Sequence, residues 1–194
     1  MMGTMKAAMA CTQGSGRTLN QFALVSYIPE PLASFLDDLR IQLTPGCNPH
    51  AHLTVLPPRP FLGDVPQAVH DLRETASSSD SFDVTLGAIE VFPVTNVIYL
   101  GISGGEEAVR ALHGKFNAGV LAHICPYPFH PHVTLAQDFD AVEVEQLAAK
   151  ARSIWATWSG SRTFSVQLLS FVQNVAIGKW DDLASVCLAE NPAE

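Results

Sequence analysis

Two histidines, each followed two positions later by a threonine, carry the chemistry this sequence could do. They stand in His52-Leu53-Thr54-Val55 and in His132-Val133-Thr134-Leu135, 80 residues apart. Each tetrapeptide opens an apolar run of strand-like length. On a strand, alternate side chains point to opposite faces. His52 and Thr54 therefore share one face, and Leu53 and Val55 the other. His132 and Thr134 pair in the same way against Val133 and Leu135. Each copy thus buries an aliphatic face and offers an imidazole beside a hydroxyl. A neutral imidazole can take a proton and a charged one can give it. With an ordinary pKa of about 6.5, histidine offers both forms near neutral pH. Two hydroxyls can bind the charged oxygens of one phosphate between them.

Each motif histidine has a second histidine two positions before it, His50 and His130. Four imidazoles could hold a metal ion, so a metal-dependent hydrolase is one reading of the two His-x-His pairs. Against it, His50 follows Pro49 in a loop and Pro131 splits the second pair. No Asp or Glu accompanies either pair at a metal-ligand spacing. The expectation is no metal and no cofactor, with His50 and His130 lining the site or bonding to nearby backbone.

At these residues the chain resembles the 2H phosphoesterase superfamily. That group includes the bacterial 2′-5′ RNA ligase-like proteins and the RNA 2′,3′-cyclic phosphodiesterases. The matching segments are Phe22-Ala23-Leu24-Val25-Ser26-Tyr27-Ile28-Pro29, His52 to Pro58, and Phe129 to Ala136. The resemblance runs from about Leu19 onward. It implies an α+β fold: two pseudo-symmetric lobes of mainly antiparallel sheet, with outer helices, around a central cleft. It also implies an enzyme, a metal-independent phosphoesterase hydrolysing a 2′,3′-cyclic phosphate or a similar nucleotide or RNA phosphodiester. Ligation of 2′-5′ RNA would be the reverse reaction. His52 and His132 would be the catalytic acid and base, in an order the symmetric motifs leave open, and Thr54 and Thr134 would bind phosphate. One departure stands out. Members often carry a basic residue soon after the second motif, where this chain has Gln137 and Asp138.

Further candidates for the substrate site are Arg59, Phe61, Tyr127 and Phe129, with His50 and His130. Nucleobases are recognised by stacking on aromatic rings, and these rings, with Phe92 and Tyr99, lie beside motif strands or on connecting loops. Core packing is the plain alternative for each, and a solvated surface residue is the plain alternative for Arg59. A non-catalytic nucleotide- or RNA-binding module remains a reading from another class, although it would not need both histidines.

The net charge of −8 disfavours a long duplex nucleic acid as partner, which needs a basic face. A small nucleotide, or an RNA end carrying a cyclic phosphate, is the expected partner. No apolar stretch reaches membrane-spanning length. Four scattered cysteines, without a Cys-x-x-Cys pair, suit a reduced cytoplasmic setting. A monomer is expected, with residues 1–19 as a disordered tail and 20–194 as a single two-lobed domain.

The elements that must position the motifs follow from periodicity. Phe22 to Ile28 reads as a strand. Leu32, Phe35, Leu36 and Leu39 mark a helix by their spacing. Asp64 could cap a helix carrying Val65, Ala68, Val69, Leu72 and Ala76. Phe82 to Ala88 alternates as a strand, with Val97 to Ile102 as its antiparallel partner. Gly104-Gly105 opens a third helix with Ala108, Val109, Leu112 and Phe116. Asp140 and Glu143 form a capping-box pattern before a fourth. Thr163 to Val172 and Leu183 to Leu188 read as closing strands. The two halves of the chain have the same order, each with its His-Thr strand second.

Overall fold

The computed structural model describes residues 20–61, 63–176 and 178–190. The tail expected at residues 1–19 lies outside them, as does Cys11. In chain order the elements are β1 (Phe22–Tyr27), α1 (Leu32–Leu43), β2 (His52–Arg59), α2 (Val65–Ser77), β3 (Phe82–Val91), β4 (Ile98–Gly104), α3 (Glu106–Phe116), a 3-10 turn at Gly119–Leu121, β5 (His132–Ala136), α4 (Ala141–Trp155), β6 (Thr163–Val166), β7 (Leu168–Ala176) and β8 (Lys179–Cys187).

Two four-stranded antiparallel sheets result. Their strand orders are β2-β1-β7-β8 and β5-β4-β3-β6. Both motif strands, β2 and β5, are edge strands of their sheets, and they approach one another in the middle of the molecule. Helix α1 packs against β5 and helix α3 against β2, so each lobe's helix supports the other lobe's motif strand. One large apolar core runs through both lobes, and a small second cluster of Ala23, Val25 and Val172 lies on the first sheet.

The alternation read from the motifs holds at both strands. Leu53 and Val55 are fully buried, as are Val133 and Leu135, while His52, Thr54, His132 and Thr134 are half-buried. A one-residue slip of β2 would turn Leu53 and Val55 to water, at about 1.5–3 kcal/mol each. Aliphatic burial thus fixes which way the histidines face.

The halves of the chain are not the lobes. The third strand of the first half, β3, lies in the sheet of the second motif. Strands β7 and β8 return to the sheet of the first. The run from Thr163 to Val172, expected as one strand, is two strands in different sheets, divided at Gln167. Phe164 and Val166 are buried on β6, then the phase changes: Leu168 is 47% exposed and Leu169 is buried. The closing strand is longer than expected, Lys179–Cys187. Asp140 caps α4 through Oδ1, which accepts from the Val142 and Glu143 amides at 2.9 Å each. Asp64 occupies the cap position of α2 without a side-chain bond.

Candidate functional site

Each motif histidine is held by the same local device. The Nδ1 of His52 lies 2.6 Å from the carbonyl oxygen of His50, and the Nδ1 of His132 lies 2.7 Å from that of His130. A carbonyl can only accept, so Nδ1 carries the proton in the neutral ring and Nε2 is left as the unprotonated nitrogen. His50 and His130 therefore serve the motifs through their backbone. Their rings do other things. The His50 ring is stacked on Tyr27, centroids 3.7 Å apart and planes 7° from parallel. The His130 ring meets Phe92 and Tyr99 edge-on at 5.3 and 5.6 Å. Among the described residues, no group of three or more His, Cys, Asp or Glu is gathered as a metal ion would require.

The two motif histidines lie close enough for the charge of His132 to oppose protonation of His52. Burial pushes the pKa of His52 down to about 4. The bond to the His50 carbonyl works against this, and the positive charges of Arg40, His50 and His132 reinforce it. His132 is also lowered, by burial and by His130, with its own backbone bond again opposing. Among the described residues, His130 is the one charge that acts on His132, whereas Arg40 also acts on His52, so the matched pair is electrostatically unequal.

A tyrosine stands on the neighbouring strand at each motif. Tyr27 is the cross-strand partner of His52, and its hydroxyl donates to Asp182 at 2.6 Å. Tyr99 is the partner of Thr134 and donates to Glu90 at 3.0 Å. Phe92 stacks on Tyr99 at 4.0 Å, and both rings meet His132 edge-on at 5.1 and 5.3 Å. Burial and the adjacent carboxylates raise both phenols, Tyr99 to about 12 and Tyr27 higher still. Both remain protonated donors at any working pH.

The remaining candidates divide. Arg59 is neither solvated nor open to a phosphate: it is 2% exposed. It donates to Pro57 O at 3.0 Å, Leu121 O at 2.9 Å and Asn117 Oδ1 at 2.5 Å, which ties the 117–121 turn to β2. Phe61 is buried in the core against Phe22 and Phe171. Phe129 is half-buried and stacked on His113 at 3.8 Å, and the Nδ1 of His113 lies 2.7 Å from Val55 O. Tyr127 is 58% exposed on the loop before β5. Arg40 was not singled out in the sequence. It stands in the last turn of α1 beside the loop that leads into β2, and nothing in the spacing of a helical arginine announces that contact.

The sequence profile of the 2′-5′ RNA ligase superfamily matches residues 28–175, which include both motifs. The chain belongs to this superfamily. Among curated relatives of this superfamily member, a protein named as a phosphoesterase in Geobacillus sp. (strain WCH70) is 30% identical over 111 residues, 53% of this chain and 64% of that one. Another, from Bacillus licheniformis, is 36% identical over 88 residues, 44% of this chain and 52% of that one. The chain thus spans between half and two-thirds of the length of these relatives. Among solved structures, E. coli LigT complexed with 3′-AMP superposes with a TM-score of 0.60 at 17% identity, covering 87% of this chain and 98% of that one. A protein of Thermus thermophilus gives 0.57 at 15% identity, covering 88% and 99%. These similarities place the α+β two-sheet architecture among LigT-like folds.

Proposed function

We propose that the chain is a metal-independent phosphoesterase that opens a 2′,3′-cyclic phosphate, or a similar phosphodiester, on a nucleotide or RNA end. The observation that carries this reading is the repeated tether. Two neighbouring rings each donate Nδ1–H to a backbone carbonyl, so both Nε2 atoms are free for proton transfer. His52, the harder ring to protonate, acts as base: its Nε2 takes a proton from water as the water oxygen attacks phosphorus. His132 acts as acid: its Nε2–H passes a proton to the ribose oxygen as the P–O bond breaks. The products are a phosphomonoester and a freed hydroxyl. Thr54 and Thr134 donate to the non-bridging oxygens as their charge grows. The exposed ring of His50 on Tyr27 offers a stacking surface. E. coli LigT, alike in fold, is known with 3′-AMP, ATP and NADP+ bound, which supports small nucleotides as ligands.

The test is hydrolysis of 2′,3′-cyclic nucleotides with product isomers identified, before and after exhaustive chelation. Activity should survive chelation. His52→Ala and His132→Ala should each remove about 10²–10⁴-fold of it, the usual contribution of a positioned acid or base. Chelator sensitivity, together with losses at His50→Ala and His130→Ala as deep as these, would overturn the reading in favour of a metal site.

A further inference from the structure

Beside His132 the cleft face of the second sheet is hollowed. Gly101 is the cross-strand partner of His132, so the position directly opposite the imidazole carries no side chain, while Tyr99 and Phe92 flank the ring further along. The hollow has a volume of about 170 Å³ and is lined by Gly87, Ala88, Glu90, Gly101, Ser103 and His130, among others. A Cβ on Gly101 would come within 3.0 Å of Glu90 Oε1, so the missing side chain is what opens the way from His132 to this carboxylate. Two carboxylates border the hollow, and they differ. Glu106 is taken by Arg110, whose Nε and Nη2 lie 3.0 and 2.6 Å from its Oε1. Glu90 accepts from the Tyr99 hydroxyl through Oε2, which orients it, and Oε1 faces Gly101.

Distance selects the group that could reach it. Glu90 lies on β3, two strands from β5, roughly 10 Å at the usual strand spacing. In a 2′,3′-cyclic mononucleotide O2′ and O3′ are bonded to phosphorus itself, and the 5′-hydroxyl is a single group one carbon off the ribose ring. Only the far edge of the base extends across two strands, and a purine extends further than a pyrimidine. A carboxylate needs donors. The Watson–Crick edge of guanine presents N1–H and the N2 amino group side by side, while adenine presents one amino group beside an acceptor.

We propose that this hollow is a guanine-recognition subsite, with Glu90 as its specificity-determining residue and Gly101 as the gap that admits the base. The inference rests on the cyclic-phosphodiesterase reading above and extends it to the base. The base lies flat over the Gly87 and Gly101 backbone with its donor edge on Glu90 Oε1. The Tyr99 hydroxyl keeps that carboxylate from turning away.

The experiment compares kcat/KM for guanosine, inosine, adenosine and cytidine 2′,3′-cyclic phosphates in the wild type, Glu90→Gln and Gly101→Ala. Guanosine should lead adenosine by roughly ten- to a hundredfold, the scale of a charge-assisted hydrogen-bond pair. Inosine, which lacks the amino group, should fall between. The guanosine-to-adenosine ratio should collapse toward one in Glu90→Gln, with an unchanged melting profile, and should fall in Gly101→Ala. Equal use of all bases, or a guanosine preference that survives Glu90→Gln, overturns the subsite while leaving the phosphodiesterase reading intact. If no cyclic nucleotide is turned over, that reading fails, and binding of guanosine against adenosine 3′-monophosphate decides the subsite alone. Glu90-dependent preference for the guanosine compound upholds it, and equal binding overturns it.

Discussion

At the scale of the residue, the two histidines share one geometry but not one charge environment. His52 is pushed down to about 4, and His132 also lies below the ordinary histidine value. As base, His52 must be neutral, so activity should rise as pH climbs through about 4. As acid, His132 must be charged, so activity should fall as pH climbs through its own value, below about 6.5. The bell in kcat/KM should therefore peak on the acid side of pH 6.5, and a peak above pH 7.5 would contradict this assignment. Stability runs the other way. Histidines held neutral by burial bind fewer protons than in the unfolded chain, so stability should be lost as pH falls from about 6.5 toward 4. Arg40 belongs to the same picture. Its Nε is buried without a partner, and its charge presses on His52. Arg40→Met should lower the melting temperature modestly, since it takes from the Asp37 carboxylate the positive charge that faces it. It should also raise the His52 titration midpoint, read by NMR. A lower midpoint, or one that does not move, would refute the coupling. The motif residues were legible because strand alternation needs only sequence spacing. Arg40 and Arg59 were not. Both are arginines near a motif, and only packing decided that one sets its charge against His52 while the other pins a turn.

At the scale of the element, caps and phase changes set the frame. The two helix-capping aspartates look alike in sequence, but only Asp140 makes its bonds. Asp140→Ala should cost about 0.5–2 kcal/mol, and Asp64→Ala only a few tenths, both read from denaturant unfolding. Equal costs would mean that the cap of α2 also forms in solution. Helix stripes were readable for the same reason as the motifs: the expected apolar positions of α2, α3 and α4 are largely the buried ones. The break at Gln167 was hidden because Leu168 is apolar yet exposed, so the sequence runs on smoothly where the backbone changes sheets.

At the scale of the whole molecule, the strands exchanged between halves bind the two lobes into one unit. The shared core and the helices supporting the opposite motif strand act in the same sense. Unfolding should be a single transition. Trp180 reports the first sheet, and Trp155 and Trp158 the second lobe, so variants retaining one set or the other should melt at the same midpoint. Midpoints that separate would show independent lobes. The exchange has a consequence for the chain while it is being made. Strand β1 pairs on one side with β2, nearby in sequence, but on its other side Phe22 meets Gln173 and Val25 meets Ser170. At roughly 5–20 residues per second the ribosome needs about 7–30 s to deliver that partner. Through this interval the first two strands carry an open, apolar edge, while β3, β4 and β5 can already pair around the second motif. The histidine made first is therefore housed last, and β1 is the stretch of the nascent chain most exposed to mispairing.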